Sequence, residues 1–113
     1  PFTPISYPVP GHDDAAAFLE SKGKTLDSLH YTQGWWTMAT MAEGMEIVLK
    51  NGDELTGENI KAALETLSNF DTGGVTSPLT YTSSSHRGNN ALRTYYVENG
   101  SWQAFSDDFI SAE

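Results

Sequence analysis

Cysteine is missing from all 113 residues. Disulfide staples and thiolate chemistry are excluded, and the redox compartment leaves no mark on the chain. Basic residues are scarce, six against fifteen acids, for a net charge of −9. Nucleic acid and anionic membranes both recruit basic surfaces, so neither is an expected partner. No apolar run approaches the ~18 residues that span a bilayer. No secretory leader pattern opens the chain. It begins Pro1-Phe2-Thr3-Pro4 without a methionine, and the expectation is a piece of a longer protein. The acidic balance fits a secreted or periplasmic one. Proline is nearly absent after residue 10, four of the five lying within residues 1–10. That start reads as an extended connector with a short edge strand over residues 5–7, since repeated proline suits neither a helix nor a central strand.

What the chain does have is helical periodicity. Residues 31–50, YTQGWWTMATMAEGMEIVLK, hold two of the three tryptophans and all three methionines. Trp35, Met38, Ala42, Met45 and Leu49 recur at steps of three and four, with Ala39, Met41 and Val48 beside them. This predicts a helix over about 32–50 with that stripe facing the core. Glu43, Glu46 and Lys50 fall largely outside the stripe, and either Asn51 or Gly52 can take the left-handed conformation that ends the helix. A shorter helix is expected from Asp13, with His12 or Asp13 near its N-cap, acids in its first turn and Gly23 past its end. Thr56 is the expected N-cap of a third helix. Ile60, Ala63, Leu64 and Leu67 form its apolar face, and it runs to about 68–69. The short connection predicts that the second and third helices pack as an antiparallel hairpin.

Composition changes at Asp71. Residues 71–90 are rich in Gly, Ser, Thr and Asn, which favour turns, and residues 78–82 alternate like a strand. Asn99-Gly100 between aromatic and β-branched runs predicts a hairpin. The acidic tail, residues 106–113, is expected to fray.

Chemistry-bearing patterns are thin. The three histidines, His12, His30 and His86, share no metal-ligand spacing, and His12-Asp13-Asp14 reads as a helix start. Ser85 and His86 are adjacent in an extended segment, so they point apart and form no dyad. Asp71-Thr72-Gly73 matches the aspartic protease triplet once, with no second copy. Gly73-Gly74 lacks the lysine and helix of a phosphate loop. Most acids fall on polar helix faces. The expectation is no enzyme, no metal and no cofactor.

One resemblance covers most of the chain. Phe70-Asp71-Thr72-Gly73-Gly74-Val75, Pro78-Leu79-Thr80, His86-Arg87-Gly88-Asn89-Asn90 and Gly100-Ser101-Trp102, with the aromatic head Gln33-Gly34-Trp35-Trp36 upstream, follow a family pattern. The chain resembles the C-terminal part of the branched-chain amino-acid-type (Leu/Ile/Val-binding-like) substrate-binding proteins of ABC transporters, the type I periplasmic binding proteins. Gly34 stands where that pattern leads one to expect an aromatic or small polar residue. The resemblance implies an α/β fold of two lobes joined by crossovers, with an amino acid or similar small molecule clamped between them and a membrane permease as partner. Here it implies three helices plus a small antiparallel sheet. Residues 1–10 would be an interlobe connector and 11–82 the end of the first lobe. Residues 83–93 would be a crossover with hinge positions Ser85, His86 and Gly88, and 94–113 a strand pair and tail of the second lobe. Tyr31, Gln33 and Trp35 would line the cleft. Most contacts to the ligand's charged ends would come from earlier segments, so the chain alone is expected to bind weakly and to self-associate through bare apolar faces. The implied location is periplasmic or extracellular. A ligand-sensing regulator on the same fold is the alternative; a small independent enzyme would need a cleft with paired, perturbed acids.

Overall fold

A computed structural model describes residues 2–111. Three α-helices come first: α1 (Asp13–Ser21), α2 (Leu29–Lys50) and α3 (Gly57–Leu64). Four short strands follow: β1 (Ala91–Leu92), β2 (Tyr95–Glu98), β3 (Ser101–Ala104) and β4 (Ile110–Ser111). The chain is therefore mixed helix and small antiparallel sheets, β1 pairing with β4 and β2 with β3.

The helix ends follow from local chemistry. Pro10–His12 forms a 3-10 turn into α1, and Asp13 and Asp14 occupy the first α1 turn, where their charge complements the helix dipole. Gly23, at φ +68°, turns the chain out of α1 as its N–H closes on the Glu20 carbonyl. The long helix starts a turn earlier than its periodicity indicated, because Ser28 Oγ accepts from the His30 N–H and caps it. Tyr31 and Gln33 thus lie inside its first two turns. Gly52, at φ +78°, takes the left-handed position after it. Thr56 Oγ1 accepts from the Asn59 N–H and starts α3. This helix stops at Leu64, short of 68–69, where tighter i→i+3 bonds from Thr66 and Leu67 take over.

The packing of α2 corrects the expected core face. Thr32, Thr40, Gly44 and Val48, four residues apart or a multiple of four, are its buried positions. Gly44 lies directly against Leu64 and Ile60 of α3, and Val48 near Asn59 and Ala63. The predicted stripe faces outward instead. Met38 is 62% and Leu49 58% exposed, Ala42 is exposed, and Trp35 and Met45 are half-buried. The small face wins because it permits close approach: a glycine admits the Leu64 side chain, and Thr40 Oγ1 satisfies itself on the Trp36 carbonyl at 2.8 Å.

The turn at residues 71–75 is the other organising point. Asp71 Oδ1 accepts from the Gly73 N–H at 2.7 Å, and Thr72 Oγ1 accepts from the Thr76 N–H at 2.9 Å. Gly73 and Gly74 both take positive φ. Onto this turn the N-terminal segment docks: the Thr3 and Gly11 N–H groups donate to the Val75 and Gly73 carbonyls at 2.7 and 2.9 Å. Residues 5–7 are consequently a turn closed by the Tyr7 N–H on the Pro4 carbonyl, not the expected edge strand. Residues 78–82 are not a strand either, since only Leu79 exchanges bonds with Phe70 and Thr82 with Ser85.

The hairpin forms as expected. Asn99 (φ 51°) and Gly100 (φ 77°) both adopt the left-handed conformation of a type I′ turn, and Val97 pairs with Trp102. The tail, expected to fray, is pinned as far as Ser111. Residues Ile110 and Leu92 pair, the Arg93 guanidinium donates to the Asp107 carbonyl at 2.8 and 3.1 Å, and it stacks 4.3 Å from the Phe109 ring. Residues 112 and 113 lie outside the described part. Tyr95 OH donates to Thr3 Oγ1 at 2.9 Å, and Tyr7 OH to Asp107 Oδ1 at 2.9 Å, joining hairpin and tail to the N-terminal segment. That bond to the Asp107 carboxylate raises the Tyr7 pKa.

The result is a slab of 51 × 42 × 17 Å. Its radius of gyration, 15.8 Å, exceeds the about 13 Å of an ordinary domain this long. Its accessible surface is 7291 Å², where a monomer of this mass exposes about 6,100 Å². The surplus sits where large apolar side chains are bare: Phe18, Met38 and Leu49 on the helices, and Val97, Trp102 and Phe105 on the hairpin.

Candidate functional site: an open groove at the head of the long helix

The first two turns of α2 run beside α1 and leave an open groove. Asp14 and Phe18 of α1 face His30, Tyr31, Trp35, Met38 and Ala42 of α2 across it. The rings of Phe18 and Trp35 meet at 5.6 Å and 45°, one tilted aromatic wall. Lys22 Nζ stands 5.6 Å over the Phe18 ring. The other side of the groove is open to solvent.

Of the three residues predicted to line a cleft, the fold brings Tyr31 and Trp35 to this groove and places Gln33 behind it. Gln33 Oε1 accepts from His30 Nδ1–H at 3.0 Å and orients that ring from the i+3 position. Gly34 also lines the groove, and a Cβ there would meet nothing within 4 Å. Phe18, Asp14 and His30 were not among the residues predicted to line a cleft. The meeting of Phe18 with Trp35 needs the helix crossing, which no local pattern supplies.

A second, more enclosed cavity of about 320 Å³ lies on the other side of α2, between Trp36, Thr40 and Met41 and the Thr72, Thr76, Leu79, Tyr81 and Asn89 side chains. No acid or base lines it. A zwitterionic amino acid placed there would lose its hydration without a charged partner, at a cost of several kcal/mol. It therefore fits an apolar void under the 71–81 turn better than a solute site. Trp36, between the two spaces, is fixed by its Nε1–H donating to the Gly11 carbonyl at 2.9 Å.

Of the predicted hinge residues, His86 reaches the C-cap of α3. The Ser85 N–H donates to the Thr82 carbonyl and to Thr82 Oγ1. His86 Nε2 meets Glu65 Oε1 at 2.7 Å, which holds the Glu65 carboxyl below the usual carboxylate range, with Lys61 adding to the effect. Gly88 backs onto the Tyr81 ring so closely that a Cβ there would collide with Cζ, and its carbonyl accepts from the Thr80 N–H at 3.0 Å. Residues 82–88 are thus tied to α3 and to the 80–81 segment.

His12 is buried at the start of α1, with its Nε2–H on the Pro4 carbonyl at 3.2 Å and Nδ1 without a partner among the described residues. Burial lowers its pKa. Among the described residues no group of three His, Cys, Asp or Glu side chains could hold a metal ion, and no helix is long and apolar enough to cross a membrane.

Comparison with known proteins returned no matching family profile, no matching curated protein and no matching solved structure. The class stands on the architecture alone: three α-helices with two small antiparallel sheets.

Proposed function

We propose that this chain is the C-terminal portion of a solute-binding protein that closes about a hinge on an amino acid or a similar small molecule. The solute is then delivered to the membrane permease of an ABC importer from the periplasmic or extracellular side. The observation that carries this reading is the open groove at the head of α2. Tyr31, Trp35 and Phe18 form an aromatic wall with few polar groups, which is how small-molecule clefts are built, and the groove is open on its other side. In this reading the wall receives the apolar side chain of the ligand, and the charged ends are held by the remainder of the protein. The work done is closure, with no bond made or broken, and the ligand shifts the open–closed balance by its differential affinity. The extended motif resemblance supports the same reading.

The test is a ligand-induced melting screen of amino acids on the full-length protein and on the 113-residue chain, since a ligand at ~100 times its Kd stabilises by about 2.7 kcal/mol. The full-length protein is expected to melt higher with at least one apolar amino acid, and Trp35→Ala is expected to abolish that shift. The 113-residue chain is expected to show none. No shift in the full-length protein, or micromolar binding by the short chain in calorimetry, would overturn the reading.

A further inference from the structure

The outward α2 stripe has a groove at one end and an exposed leucine at the other. Trp35, Met38, Ala42, Met45 and Leu49 follow steps of three, four, three and four, the a/d spacing of a helix that pairs with another helix. A face buried against a globular core is usually broader. Here the broader burial belongs to the Thr32–Thr40–Gly44–Val48 side, and the a/d seam is left over. Its smallest residue, Ala42, is central. Toward the N-terminus lies the groove walled by Phe18 and Trp35. Toward the C-terminus protrudes Leu49, 58% exposed.

We propose that two copies of this chain pair antiparallel along α2, about a two-fold axis at Ala42. The axis sets Leu49 of one copy against the Phe18–Trp35 groove of the other, Met38 against Met45, and Ala42 against Ala42. A groove and a knob on one surface, exchanged by the two-fold, make an isologous interface. Charge selects the direction. Antiparallel pairing brings Lys50 to the groove end, where Asp14 lines the wall, whereas parallel pairing stacks Glu43 on Glu43 and Glu46 on Glu46. Between residues 31 and 42 the helix carries no charged side chain, so the N-terminal half of the seam is uncharged. The pairing does not rest on the solute-binding reading. It is read by mass, not by melting with a ligand.

Sedimentation equilibrium or light-scattering chromatography of the 113-residue chain at ~100 µM tests it. A dimer is expected. Met38→Glu, at an exposed position, is expected to give a monomer with unchanged helical circular dichroism. Lys50→Glu is expected to weaken the dimer roughly two- to fivefold, and Asp14→Lys in the same chain to restore it. A wild-type monomer overturns the pairing and leaves the seam to the remainder of a longer protein. A dimer that persists in Met38→Glu, or one that Val97→Glu on the hairpin dissolves instead, overturns it as well.

Discussion

The two long sides of α2 differ in hydrophobicity and in size, and the less apolar one is buried. One side carries Thr32, Trp36, Thr40, Gly44 and Val48 and is packed against the N-terminal segment, the 72–79 turn and α3. The other carries Trp35, Met38, Ala42, Met45 and Leu49 and faces outward. By transfer free energy alone the second side should be inside. The first is inside because its small residues let backbone and neighbouring side chains approach, and because the Thr40 hydroxyl finds a local acceptor in the Trp36 carbonyl. Burial here follows the partner a face can admit, not the apolar content it offers.

The sharpest way to break that comparison is to spoil the small face. Gly44→Val would place branched carbon where a Cβ already comes within 2.8 Å of Leu64 Cδ2 and 2.9 Å of its Cγ. Overpacking of this kind costs about 2–3 kcal/mol. The urea midpoint should fall with the slope m unchanged. A neutral result would mean that α3 slides freely over α2, and that the small face is not what seats it.

A paired truncation sets one face against the other. Val48, 2% exposed, loses two buried carbons in Val48→Ala, about 1.6 kcal/mol at ~0.8 per methylene. Met38→Ala removes more carbon from the opposite face, yet stability at low chain concentration should change by less than about 0.5 kcal/mol. Equal losses in dilute thermal melts would show that the stripe is covered even in the single chain.

Titration probes the seat of the small face. Trp36 is held by the carbonyl of Gly11, the residue before His12. Buried His12 has a lowered pKa, with desolvation the largest cause. The unfolded chain therefore binds more protons than the folded one as pH falls below the ordinary histidine value of ~6.5. Stability is full above that value and is lost as pH drops toward the depressed folded value. Glu65, its carboxyl held low by His86, acts in the next window down, below the unfolded carboxylate value of ~4.3. His12→Gln keeps an N–H for Pro4 and should flatten the upper slope while leaving the lower one. Denaturation midpoints from about pH 8 down to about pH 2 read both, and an unaltered upper slope would rule His12 out as its source.

The same comparison explains what could be read from sequence. Asn99-Gly100, Thr56 and Gly23 announce a turn, a cap and a helix stop by chemistry local to each residue, and the structure has all three. The long helix was legible, but which side it buries was not. Periodicity marks apolar positions, and α2 has them on two faces, so the choice falls to Leu64, Ile60 and Gly11, distant in sequence. The turn over residues 5–7 and the pinned tail failed for the same reason, since Thr3 bonds to Val75 and Arg93 to Asp107 across long separations. At the candidate site Tyr31 and Trp35 were legible as aromatics at a helix head. Phe18 as their neighbour and Gln33 as the support of His30 required the helix crossing and the earlier helix start.

The smallest effect is the most diagnostic of which face is free. Lys50 and Glu46 form an i,i+4 pair at 3.2 Å, with side chains 70% and 61% exposed. Such a pair contributes about 0.3–0.5 kcal/mol to a helix, in the less favourable order only if the lysine came first, which it does not. In a single chain Lys50→Ala should therefore lower stability by no more than that, and the loss should vanish in high salt as the charges are screened. If a second copy brings Asp14 near Lys50, the cost acquires a dependence on chain concentration, because the mutation then acts on association as well. Melting wild type and Lys50→Ala across a hundredfold range of concentration separates the two. A difference that stays flat assigns Lys50 to the solvated rim of its own helix, and one that grows with concentration assigns it to the seam.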